Sequence, residues 1–206
     1  MAIIENRDST TEAAPNLLRA SCALGVISLF LIGLGYSLVA TGIGQLLFPT
    51  AANGSLIERD GAVVGSVWVA QPFVSDRYFH SRPSAVGYDP MAVSGSNQAR
   101  TNPDLRSRVN DEKAAVALRE TVKPEEIPSD MITQSGSGSD PDISPRAARI
   151  QIDRVARARG ISTESLAKLV QTHTQGPQWR VFGQSRVNVL ALNVALDALE
   201  HQPQAH

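Results

Sequence analysis

From Ala23 to Phe48 the chain reads ALGVISLFLIGLGYSLVATGIGQLLF, and no charged residue falls between Arg19 and Glu58. At about 1.5 Å per residue, a helix of that length crosses the roughly 30 Å hydrocarbon core of a bilayer. Residues 21–48 are therefore predicted to form a single transmembrane helix. A cleaved signal peptide is the competing reading, with Thr50-Ala51-Ala52 as a loose cleavage site. Its apolar stretch normally covers only about 7 to 15 residues, so an uncleaved anchor is favoured. Within the span, Gly33, Ser37, Thr41 and Gln45 recur at intervals of four. Small and polar residues let helices approach and hydrogen-bond in lipid, which makes this ridge the candidate in-membrane docking face. Simple tolerance of such residues in membrane helices is the plainer account.

The pattern changes after the span. Asn53-Gly54 and Asp60-Gly61 mark turns, and Val63 to Val69 has strand composition, so a short hairpin is predicted. From Ser75 to Pro103 there is no sustained periodicity, over a length well beyond ordinary connections. Its aromatic and basic residues argue against simple disorder. Arg77, Tyr78, Phe79, His80 and Arg82 are accordingly the candidate partner-binding residues of this part of the chain.

Helical patterning follows. Leu105 to Val122 is rich in helix formers and is stopped by Pro124. A second helix has Ser144 as N-cap, Pro145 at its first position, Gly160 as terminator, and an apolar stripe of Ala148, Ile152 and Val155. Leu166, Leu169, Val170 and His173 share one face of a third helix, and Val189, Leu192, Leu196 and Leu199 one face of the last. The expected fold is α+β. Residues 1–20 form an N-terminal tail, 21–48 the membrane helix, and 49–206 one mixed domain of a short hairpin or sheet with about four helices.

Charge adds orientation. Arg7 and Arg19 precede the span and Arg59 follows it, so the tail is expected in the cytoplasm and residues 49–206 outside. A net charge of -1 gives no general pull toward nucleic acid. Cys22, the sole cysteine, lies at the start of the span, leaving the outer domain without thiol chemistry. His80, His173, His201 and His206 lack metal-ligand spacing, so no metal site is expected.

The candidate chemistry centres on the stretch DMITQSGSGSDPDISP, residues 130–145. Gln134, Ser135, Gly136, Ser137, Gly138, Asp140 and Ser144 are the candidate loop for a nucleotide or an interface, because a helix start after glycines offers N–H groups to an anion. The Walker pattern is absent: the first lysine after Gly138 is Lys168. A calcium loop from Asp140 would need glutamate where Gln151 stands. No Gly-x-Ser-x-Gly elbow is present either. A turn into a capped helix is the remaining reading.

Ser165 and Lys168 have the S-x-x-K spacing of some membrane-anchored acyl-transferring enzymes, and a Ser/Lys hydrolase is the alternative function. Both fall off the apolar stripe of their helix, where the lysine would be a poor base. Arg146, Arg149, Asp153 and Arg157, with Arg154 and Arg159 nearby, are expected to form a solvated outer face; docking of an acidic partner is the alternative.

YFHSRPSAVGYDP, SGSN, SGSGSDPDISPRAARIQIDRVARARG and RVNVLALNVALD follow one membrane span in order. In these blocks the chain resembles the C subunits of the bacterial Kdp potassium-transporting P-type ATPases. The resemblance runs from the span to about Asp197. It implies a non-catalytic subunit in the inner membrane that assembles with a channel-like potassium-translocating subunit and a P-type ATPase subunit, beside a small single-helix subunit. ATP and potassium would be handled by those partners, with no cofactor bound by this chain. The family has been described as a catalytic chaperone that raises the ATP affinity of the ATPase subunit. An outer placement of the glycine-serine loop separates it from cytoplasmic ATP. The family pattern has SGGSN where this chain has Ser94 to Asn97, and leucine and histidine where Ser139 and Asp142 stand. Ser139 in place of an apolar residue argues against an inward-packing loop.

Overall fold

The computed structural model describes residues 14–59 and 61–200; Arg7, His201 and His206 lie outside them, as does most of the predicted tail. The chain divides into two compact units at Asn53/Gly54.

The first unit is helical. α1 (Ala14–Ser28) passes through a π-helical stretch (Leu29–Tyr36) into α2 (Ser37–Leu47), and a single turn, α3 (Pro49–Ala52), follows. Asn16–Leu47 is continuous, apolar and long enough to cross a membrane, with a mean hydropathy of 2.2 over its best window. None of that window is buried within the chain, so its apolar side chains face outward all round.

In the second unit, β1 (Leu56–Arg59) and β2 (Ala62–Ser66) form the expected antiparallel hairpin, with a register shift between Ile57 and Glu58. No helix or strand interrupts the path from Ser66 to Pro103, where α4 (Pro103–Glu120) begins under an Asn102 cap. Three further strands were not visible in the hydrophobic pattern: β3 (Asp142–Ile143), β4 (Thr174–Gln175) and β5 (Arg186–Asn188) form a sheet in the order β3-β5-β4. At two or three residues each, they are too short to show alternation.

The helix predicted after Ser144 is two helices, α5 (Pro145–Ile150) and α6 (Ile152–Arg159). Gln151 causes the break. Its side-chain Nε2 donates to Ala147 O, the acceptor its own N–H would use in an α-helix, and that N–H bonds Ala148 O instead. Ser144 caps α5 through Ala147 N, and Gly160 ends α6 with φ of 68°. α7 (Thr163–Thr172) and α8 (Val189–Glu200) turn Leu166, Val170, Leu192 and Leu196 into the interior. These pack with Phe79, Val116, Val155 and Val187 in one core.

Candidate functional site

The segment Asp76–His80 is held by side chains instead of a sheet. Arg154 Nη1 donates to Asp76 O (2.6 Å) and Tyr78 O (2.9 Å), and Arg159 Nε donates to Arg77 O (2.6 Å). Asn193 takes both polar groups of the Phe79 main chain, each at 2.9 Å. Gln151 does the same for His80, accepting from its N–H at 2.7 Å and donating to its carbonyl at 3.2 Å. At the buried Phe79 and His80 these bonds replace partners that burial removes, so Gln151, between α5 and α6, and Asn193 of α8 serve as the missing neighbouring strands.

This anchoring draws two of the five expected partner-surface residues into the fold. Phe79 is wholly buried and His80 nearly so, leaving Arg77, Tyr78 and Arg82 at or near the surface. Tyr78 hydroxyl donates to Asp197, and its ring lies under the Arg159 guanidinium at 4.6 Å. Asp197 also binds Arg159 at 2.7 Å and Arg59. Burial alone would raise the Asp197 pKa, but the hydrogen bonds and charges of these two arginines outweigh it and hold the carboxyl below its usual range.

Arg154 and Arg159 likewise do not belong to a solvated face. The Arg154 side chain is 5% exposed and the Arg159 side chain 1%, whereas Arg146, Arg149, Asp153 and Arg157 are exposed as expected. The available signal was polar residues inside apolar stripes: Gln151 between Ile150 and Ile152, and Asn193 beside Leu192.

The glycine-serine loop packs inward, contrary to the expectation drawn from Ser139. Ser135, Gly138 and Ser139 are buried. A Cβ on Gly138 (φ +71°) would stand 2.5 Å from Val86 Cγ2 and 2.7 Å from Ser94 O. A Cβ on Gly95 would stand 2.9 Å from Gly136 O, so the Ser94–Asn97 and Gln134–Asp140 loops interlock glycine to backbone. Ser84 Oγ donates to Gly138 O (2.6 Å), Gln134 Nε2 to Ser84 O (3.3 Å), and Ala70 N to Ser139 O (3.0 Å). Arg82 pairs with Asp140 at 2.8 Å. These contacts pin the turn ahead of α5 against the rest of the fold.

Four N–H groups between Gly138 and Ser144 are engaged internally. Gly138 N donates to Ser135 Oγ, Ser139 N to Ser137 Oγ, Asp142 N to Asp140 Oδ1, and Ser144 N to Asp130 Oδ2. A phosphate would have to displace these hydroxyls and carboxylates, unlike the open N–H cradle of an anion site.

Two grooves border the loop. One, of about 440 Å³, runs between Trp68, Val69, Pro90 and Val93 on one wall and Ser135 to Pro141 on the other. Trp68 (64%), Val93 (59%) and neighbouring Met91 (91%) are strongly exposed. The other, of about 600 Å³, is charged, with Arg82, Arg146 and Arg186 facing Asp130, Asp140 and Asp142. Burial pushes the Asp142 pKa up; Arg186, 3.1 Å away, opposes this, and Asp140 adds to it. Among the described residues, no three His, Cys, Asp or Glu side chains are grouped to hold a metal ion.

In the helix Asn16–Leu47, Ser37 Oγ donates to Gly33 O at 2.7 Å, and the Gln45 amide exchanges two bonds of 3.1 and 3.2 Å with the Asn53 amide beyond the helix end. Ser165 and Lys168 are both exposed, and Ser165 is bonded to Ser162 as part of the α7 cap.

The family described as KdpC, K+-transporting ATPase, c chain, matches residues 18–198. This chain belongs to that family. The proteins named potassium-transporting ATPase KdpC subunit include one from Xanthomonas oryzae pv. oryzae, 56% identical over 180 residues, covering 87% of this chain and 86% of the relative. Another, from Shewanella putrefaciens, is 48% identical over 194 residues, covering 94% and 96%. A third, from Methylococcus capsulatus, is 48% identical over 170 residues, covering 81% and 90%. The chain is thus an accessory subunit of the K+-transporting ATPase complex, and nothing in its geometry supports the Ser/Lys hydrolase.

Proposed function

We propose that this chain is the membrane-anchored assembly subunit of its complex. The helix Asn16–Leu47 crosses the bacterial inner membrane with its N-terminus in the cytoplasm, and the folded unit stands outside. The ridge of Gly33, Ser37, Thr41 and Gln45 packs against partner membrane helices, and the groove beside the glycine-serine loop receives a partner segment. The partners are a channel-like potassium-translocating subunit and a P-type ATPase subunit, with a small single-helix subunit beside them. Potassium and ATP are handled by those subunits, and any rise in ATP affinity is passed on through assembly.

The observation that carries this reading is the interlocking of Gly95 with Gly136 and of Gly138 with Ser94, which fixes one wall of a groove whose other wall exposes Trp68 and Val93. A rigid wall facing exposed apolar side chains suits protein docking better than ligand turnover. Placement is tested by Ser137→Cys in a Cys22→Ser background: labelling by a membrane-impermeant maleimide in intact cells is expected, and labelling only after lysis would reverse the orientation. Docking is tested by Val93→Asp, which is expected to stay folded but no longer co-purify with the other subunits; unchanged co-purification would remove the groove from the interface.

A further inference from the structure

Between β4 and β5 the chain makes a second, smaller hairpin whose tip has no role in the core. Gln178 and Phe182 pair across it, with N···O distances of 2.8 and 2.9 Å. At the turn, Trp179 and Arg180 have φ of +51° and +63°. Two successive left-handed residues are the geometry that Asn-Gly normally occupies in a tight hairpin, and a bulky Trp-Arg pair adopts it against its backbone preference. Trp179 is 88% exposed, Val181 74% and Phe182 60%, with the two aromatic rings edge to face at 6.0 Å. None of the three joins the buried core. A strained turn that holds aromatic side chains away from their own domain is explained by what they meet outside it.

The surroundings indicate which surface that is. From Thr174 to Ser185 the chain carries Arg180 but no carboxylate side chain, and Arg186 beyond it is already paired with Asp142. Tryptophan and phenylalanine with an adjacent arginine match the headgroup zone of a bilayer, where apolar rings are half-immersed and cations meet phosphates. The apolar helix ends at Leu47 and the folded unit begins at Gly54, so a short connection tethers this unit to the membrane that the helix is read as crossing. Tethering raises the effective concentration of lipid at the domain far above that of a free partner.

We propose that the Trp179–Phe182 tip is a membrane-interface anchor, with Trp179 and Phe182 in the headgroup region and Arg180 against lipid phosphate. The proposal rests on the membrane-anchored reading of the chain. The full-length Trp68→Phe protein keeps Trp179 as its only tryptophan, since the chain has two. It is reconstituted alone in phosphatidylethanolamine and phosphatidylglycerol vesicles, and Trp179 emission is followed with lipids brominated near the headgroup and with aqueous acrylamide. A blue-shifted emission, quenched by bromolipid and shielded from acrylamide, is expected, with both effects reduced by Arg180→Glu. Acrylamide quenching without bromolipid quenching overturns the tip anchor, as does shielding that appears only when the other subunits are added, which would make the tip a protein contact. Because Trp68 Nε1 donates to Ser55, the Trp179→Phe protein serves as the second variant, and its bromolipid quenching must fall away. Flotation of the full chain with vesicles reports the helix separately: a protein that floats with an exposed Trp179 sinks only the tip, and one that does not float sinks the anchored reading itself.

Discussion

Glu120, the last residue of α4, meets Arg154 of α6 in a buried ion pair at 2.9 Å, with side chains 0% and 5% exposed. Arg154 also donates to Gln151 Oε1 and to the carbonyls of Asp76 and Tyr78. One guanidinium thus joins α4, α6 and the strand-like segment before His80. Arg154→Ala leaves the buried Glu120 carboxylate with Arg119 alone and takes the donor from two main-chain carbonyls, and a loss of about 3 kcal/mol is expected from urea unfolding of the full chain in detergent. Arg154→Lys restores little of it, because an ammonium cannot span the four acceptors that the planar guanidinium reaches. Arg157→Ala, exposed on the same helix, should stay within about 0.5 kcal/mol.

His80 gives the domain a pH dependence near neutrality. Burial lowers its pKa, the Ser75 carbonyl bond opposes this, Arg154 and Arg119 lower it further, and Glu120 acts against them. The folded ring therefore resists protonation at a pH where the unfolded ring, with a pKa of about 6.5, accepts a proton. Its contribution to stability is complete above about pH 6.5 and is lost as pH falls from there through the folded value. The urea midpoint should be lower at pH 5.5 than at pH 7.5, and His80→Asn should flatten that difference. An equal slope in the variant would assign the effect to another group.

The caps were readable because their signals are local. Ser144, Pro145 and Gly160 do what their types and positions require, and Leu166, Val170, Leu192 and Leu196 turn inward with their helical period. What escaped the sequence depends on distant residues. Gln151 breaks a helix because it must reach His80, 71 positions earlier, and Asn193 reaches Phe79 114 positions back. Arg154 looked like part of a charged face because nothing local tells that Glu120 will come to cover it. The glycine-serine loop was recognisable as a block, yet its rigidity comes from Ser84, Val86 and Gly95, which are equally remote in sequence.

The S-x-x-K pair on α7 should be dispensable. Ser165 N and Oγ are both engaged with Ser162 Oγ, and Lys168 is exposed to solvent. Ser165→Ala and Lys168→Met are expected to leave potassium-dependent ATP hydrolysis by the assembled complex unchanged. Ser165→Ala removes only the Ser162–Ser165 hydroxyl contact, because the cap bond from Ser165 N remains, so a stability change under about 1 kcal/mol is expected. A large loss of transport in both variants with unfolding midpoints intact would restore a chemical role for the pair.

Gly138 and Gly136 stand two positions apart in the same loop but should respond to a methyl group with very different losses. At Gly138 a left-handed backbone costs an L-residue about 1 to 2 kcal/mol. The new Cβ would also press on Val86 Cγ2, which can rotate away, and on Ser94 O, which is main chain and cannot. At Gly136 a Cβ meets nothing within 4 Å. Gly138→Ala should therefore lower stability by about 2 to 3 kcal/mol, and Gly136→Ala by less than about 0.5. The same clash pushes the loop away from Ser94 and moves the wall of the Trp68–Val93 groove, so co-purification of Gly138→Ala with the other subunits should weaken even below its melting temperature. If Gly138→Ala unfolds earlier yet assembles normally, the loop serves the fold alone and the docking surface lies elsewhere.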